Sequence, residues 1–157
     1  MIYRICDAVT AVVRLVTWVG FAALISTVAL QVLARNILEV PMIWTSDVAQ
    51  LLFAWLIFLG AAIGLRTGAH YYVDMIPDNR PMLNAFASGL GFVAGIAVAW
   101  LLLIYGWQLA SIRSTATIQS LGISRFWSFL PMPICGSLMA VYLLEMAAQR
   151  LGWRQSQ

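Results

Sequence analysis

The chain has 157 residues, of which 62% are hydrophobic and only 10% charged, with a formal net charge of +3 at pH 7 and a mean hydropathy of +0.89. Soluble domains carry about a quarter charged residues, so the expected solvent is lipid. The basic residues are all arginines standing singly along the chain, which excludes the dense basic face needed to neutralise phosphates and with it a nucleic-acid partner.

Charged side chains are costly in hydrocarbon, so the stretches between consecutive charges measure how much chain can cross a bilayer. Four stretches qualify, residues 15–34, 48–65, 81–112 and 126–144. The first predicted span covers 12–34. Arg4 and Arg14 precede it and Val32-Leu33-Ala34 imitates a cleavage site, but its apolar core exceeds the roughly 7–15 residues of a secretory signal. It is therefore expected to stay as a membrane anchor.

The second predicted span covers 46–66, with Trp44 and Asp47 at its entry and Trp55 well inside it. Gly60 and Gly64, four apart, provide the small-residue spacing that lets helix backbones approach in lipid. His70 and Asp74 follow in a short connection. A helix would set them side by side, but tetrahedral zinc takes three or four protein groups. His70 is read as an interfacial residue that helps stop the second helix.

The third predicted span covers 83–107 within a run longer than about 20 residues, so it must tilt or project beyond the membrane. It holds a second small pair, Gly91 and Gly95, and a deep tryptophan, Trp100. Close packing of the second and third spans through the two glycine pairs is expected. Trp55 and Trp100 are expected to pack between helices or against another protein. The fourth predicted span covers 126–147. It contains Cys135, which with Cys6 falls outside any metal or redox spacing and reads as a small apolar residue.

The expectation is thus a single all-α integral membrane domain, residues 1–157, of four transmembrane helices. An even number of spans puts both termini on one side, and the arginines divide six to three in favour of that side, so both termini are expected to be cytoplasmic. Trp44, Trp107 and Trp127 then fall at the outer headgroup level, and Tyr71, Tyr72 and Trp153 at the inner one. The outer loops lie near 36–46 and 112–125. Across the first of them Arg35 and Asp47 are expected to neutralise one another in low dielectric, ordering the loop together with Trp44.

No Asp, Glu, Lys, Arg or His lies near the middle of a span, where proton relays and ion sites place such groups. This argues against a free-standing four-helix drug exporter. One boundary histidine also argues against a haem-carrying respiratory anchor and supports no Ser/His/Asp constellation. No catalytic, cofactor-binding or metal-binding residue is expected.

Residues 31–74 read QVLARNILEVPMIWTSDVAQLLFAWLIFLGAAIGLRTGAHYYVD. The order of Arg35, Trp44, Asp47, Trp55, the run Phe58-Leu59-Gly60-Ala61-Ala62, His70, Val73 and Asp74 resembles the signature of the small Q subunit of tripartite ATP-independent periplasmic (TRAP) transporters. Leu121-Gly122-Ile123, Trp127 and Leu130-Pro131 resemble the entry to that family's fourth helix, while Ser46 stands where many relatives carry a second acidic residue. The resemblance implies a subunit of the bacterial inner membrane without a cofactor. Its implied partners are a large multi-spanning permease (M) subunit, which moves an organic acid with sodium, and a periplasmic solute-binding (P) protein, which delivers it.

Overall fold

The computed structural model describes residues 2–67 and 81–150, with side chains described over 6–67 and 89–147. Four long helices dominate, α1 (Ile2–Asn36), α2 (Ile43–Arg66), α3 (Pro81–Ile112) and α5 (Pro131–Arg150). A 3-10 turn (Arg113–Thr115), the short strands β1 (Thr117–Ile118) and β2 (Ile123–Ser124), and the four-residue helix α4 (Phe126–Phe129) lie between α3 and α5. Four segments are long and apolar enough to cross a membrane, Cys6–Asn36, Ile43–Arg66, Gly89–Thr115 and Phe126–Ala147. α1, α2 and α3 exceed the expected crossings, most of all α1, which starts ten residues ahead of position 12, whereas the fourth crossing is divided between α4 and α5.

The hydroxyls inside α1 show how polar residues enter an apolar helix. Thr17 donates to Val13 O (2.8 Å), Ser26 to Ala22 O (2.9 Å) and Thr27 to Ala23 O (2.8 Å), so each satisfies itself on the preceding turn. The helix ends where Ile37 N–H reaches Leu33 O (2.9 Å) and Val40 N–H reaches Ala34 O (3.1 Å). Glu39 closes this turn at φ 55°, and Thr45 Oγ1 fixes the entry to α2 by donating to Met42 O at 2.6 Å.

The helices pack as a row in the order α1, α2, α5, α3. α5 is the wedge. Its Cys135, Met139, Tyr142 and Leu143 are buried with Ala62 and Leu65 of α2 and Ala99 of α3 in one apolar core. The expected seam between α2 and α3 is therefore corrected, because α5 lies between them. A Cβ on Gly60 would meet nothing within 4 Å, and Gly64, Gly91 and Gly95 are half-buried.

Close backbone approach occurs elsewhere. A Cβ on Gly136 would lie 2.7 Å from Leu103 N and 2.9 Å from Ala99 O, and one on Gly106 would lie 2.9 Å from Met132 Cβ. These glycines press α5 onto α3. Between α1 and α2 the close point is Gly20, whose Cβ would lie 3.3 Å from Leu56 Cδ2.

β1 and β2 pair antiparallel in the register Thr117 opposite Ser124 and Ile118 opposite Ile123. Gly122 turns the hairpin at φ +67°, a left-handed conformation that glycine adopts without steric cost. Ser124 Oγ donates to Ser114 O (2.7 Å) and accepts from Phe126 N–H (3.1 Å), which ties the 3-10 turn to the start of α4.

Candidate functional site: polar clasps at the two ends of the helix row

At one end of the row Arg66, the last residue of α2, gathers the neighbouring helices. Its Nε and Nη2 each lie 3.1 Å from a different carboxylate oxygen of Glu145 on α5, a bidentate pair. Nη2 also lies 2.6 Å from Asp7 Oδ1 and Nη1 lies 2.5 Å from Thr10 Oγ1, both on α1. Thr10 Oγ1 is 2.9 Å from Tyr142 Oη and donates to Cys6 O at 2.7 Å. The guanidinium also stands 5.4 Å from the Tyr142 ring centroid, within the range of a cation–π contact.

Burial differs sharply within this clasp. Glu145 is 6% exposed and Asp7 72%, so the Arg66–Glu145 pair is shielded while the Asp7 carboxylate faces outward. A carboxylate near hydrocarbon needs a fixed counter-charge. Both ion pairs among the described residues are made by Arg66. In the sequence Arg66 is only the charge that ends the second predicted span, and no motif sets Glu145, Asp7, Thr10 or Tyr142 apart. The available signal is that Asp7, Arg66 and Glu145 bound three spans on the same side with opposite charges.

At the opposite end the hairpin folds back over α2. Ser120 donates to the Asp47 carboxylate. The Arg35–Asp47 pair expected from sequence is absent among the described residues, because the hairpin turn brings Ser120 to Asp47 while Arg35 remains exposed at the end of α1. The loop after α1 is instead ordered by its own backbone bonds, by Glu39 and by Thr45. Trp44 is 43% exposed beside it.

Trp55 is half-buried within the subunit, and its indole N–H donates to Trp127 O at 3.1 Å. The origin of this bond is visible in the sequence. Trp127 O would accept the N–H of residue 131 in a continuous helix, but Pro131 has none. Trp55 supplies the missing donor from α2. Trp107, Phe126 and Trp127 stack edge-to-face above it, with centroids 6.4 and 6.2 Å apart. Trp100 contrasts with Trp55, being 62% exposed on α3. His70 and Asp74 lie outside the described residues.

The fold and clasps define a polytopic helical membrane subunit whose helices are joined near their ends by polar side chains. The chain belongs to the DctQ component family of tripartite ATP-independent periplasmic transporters, whose family model matches residues 24–152. It is thus a small permease component of the TRAP type.

It is 28% identical over 140 residues to the sialic acid TRAP transporter permease protein SiaT of Haemophilus influenzae, covering 84% of this chain and 22% of that protein. It is 26% identical over 125 residues to the small permease protein SiaQ of Vibrio cholerae, covering 79% and 72%. It is 30% identical over 125 residues to the C4-dicarboxylate small permease protein DctQ of Pseudomonas aeruginosa, covering 73% and 58%. The chain therefore spans about a fifth of the first relative and somewhat over half of the third.

Proposed function

We propose that this subunit is the stationary scaffold of a sodium-driven organic-acid importer in the bacterial inner membrane. It holds a large multi-spanning permease subunit in lipid while that permease moves a solute delivered by a periplasmic binding protein, and it performs no catalysis. The observation that carries this reading is the placement of charge. Arg66 is paired with Glu145 and Asp7 at one end of the row and Asp47 is bonded at the other. The sequence between those ends has no acid, lysine or histidine near mid-span. A solute or ion path needs such groups at depth, whereas a scaffold needs only apolar faces toward lipid and partner.

The relatives' names concern sialic acid and C4-dicarboxylates, which supports a carboxylate substrate for the assembled transporter. The test is reconstitution of permease and binding protein in proteoliposomes under an inward sodium gradient, with and without this chain. Uptake should require the chain, and the purified chain alone should bind neither solute nor sodium. Full uptake in its absence would falsify the scaffold role.

A further inference from the structure

Trp18 of α1 and Trp100 of α3 stand near the middle of their apolar segments, 68% and 62% exposed. Neither indole N–H has an acceptor among the described residues. Tryptophan ordinarily sits at headgroup depth, where its N–H stays wet. In hydrocarbon no water supplies an acceptor, and an orphaned donor there is costly.

Trp100 has a setting that Trp18 lacks. It lines a groove between α3 and α5 formed by adjoining cavities of about 450 and 320 Å³ that share Leu103. The smaller cavity is walled by Phe92, Trp100 and Leu144, and the larger runs on to Trp107 and Gln108. From Phe92 to Gln108 the groove follows α3 for roughly 24 Å at about 1.5 Å per residue. Beneath it Gly106 and Gly136 bring the two backbones into contact, so the floor cannot deepen or close.

We infer that the α3–α5 groove seats a membrane-spanning helix of the large permease, with Trp100 donating its indole N–H to an acceptor on that helix. The inference rests on the scaffold reading above. Acyl chains fill a groove but offer no acceptor at this depth, so a donor set in the wall of a long groove favours protein over lipid. The groove's length suits a helix crossing most of the bilayer. In the H. influenzae relative the matched segment is 22% of one permease polypeptide, so there it is covalently continuous with the rest of a permease.

The test uses the whole transporter in native membranes, with a photoreactive benzoylphenylalanine placed at Trp100, at Leu144, or at Trp18 for comparison. After irradiation, mass spectrometry should identify adducts with the permease from Trp100 and Leu144 and none from Trp18. Adducts with lipid alone, with a second copy of this chain, or with permease only from Trp18 would overturn the inference while leaving the scaffold reading intact. A wild-type chain that fails to co-purify with any permease would instead sink the scaffold reading. Trp100→Phe keeps the ring and removes the donor, so permease retained through detergent washing should fall about threefold, as for one interhelical hydrogen bond in a membrane. Retention equal to wild type would refute the hydrogen bond.

Discussion

Arg66 joins three helices through one guanidinium, and its two carboxylate partners are not equivalent. Glu145 is shielded and bidentate, whereas Asp7 is largely hydrated. Removing one partner of a shielded pair leaves a charge without compensation, which costs about 3 kcal/mol or more, while replacing both partners with apolar groups is often near neutral. Arg66→Met should therefore lower the thermal stability of the detergent-solubilised subunit by about that amount. Adding Glu145→Leu should recover most of the loss. A double variant as unstable as the sum of the two single variants would show that Arg66 and Glu145 do not act as a pair. Asp7→Asn should cost less than about 1 kcal/mol, as exposed ion pairs do.

Among the elements, α5 decides the architecture. Its face against α3 tolerates no side chain at Gly136, where even a methyl group would fall within 3 Å of two backbone atoms of α3. Gly136→Ala should reduce the yield of folded subunit several-fold, whereas Gly60→Ala should leave it unchanged because a Cβ there meets open space. Equal yields from the two variants would contradict the tight α3–α5 seam.

The start of the same segment supplies a second prediction at this scale. Trp55→Phe removes the only non-helical donor to Trp127 O found among the described residues, at a cost of about 1 kcal/mol. Pro131→Ala returns a backbone N–H four residues after Trp127, so it should offset the Trp55→Phe loss in the double variant. Melting temperatures of the four proteins in one detergent test this. A Trp55→Phe defect undiminished by Pro131→Ala would show that the indole acts through packing alone.

For the molecule as a whole, the six-to-three arginine bias predicts cytoplasmic termini. Cysteines introduced at Glu39 and Ser120 should then react with an impermeant thiol reagent in intact cells, and one at Asp78 should not. Both native thiols, Cys6 and Cys135, are buried, so background labelling should be low. Labelling confined to Asp78 would invert the topology.

Four helices were legible in the sequence because the cost of charge in hydrocarbon acts on each segment separately, and charge spacing alone measures it. Family membership was legible for a similar reason, since the Trp44, Asp47 and Trp55 signature is local and ordered. The neighbours of each helix were not. Gly60 with Gly64 and Gly91 with Gly95 satisfy a spacing rule that says how close a helix can come but not which helix comes. α5 took the place beside both α2 and α3 because its proline-broken start, its Gly136 and its buried Tyr142 fit them together.

The same distinction separates the clasps. Composition determined that charges sit at helix ends, but only the row order α1, α2, α5 brought Asp7, Arg66 and Glu145 within hydrogen-bond reach across long stretches of chain. Only the hairpin's return placed Ser120, in preference to Arg35, on Asp47. Hydrophobic length and charge cost are properties of a segment and can be read from it. Pairing is a property of two surfaces meeting, and tertiary packing alone decided which surfaces met.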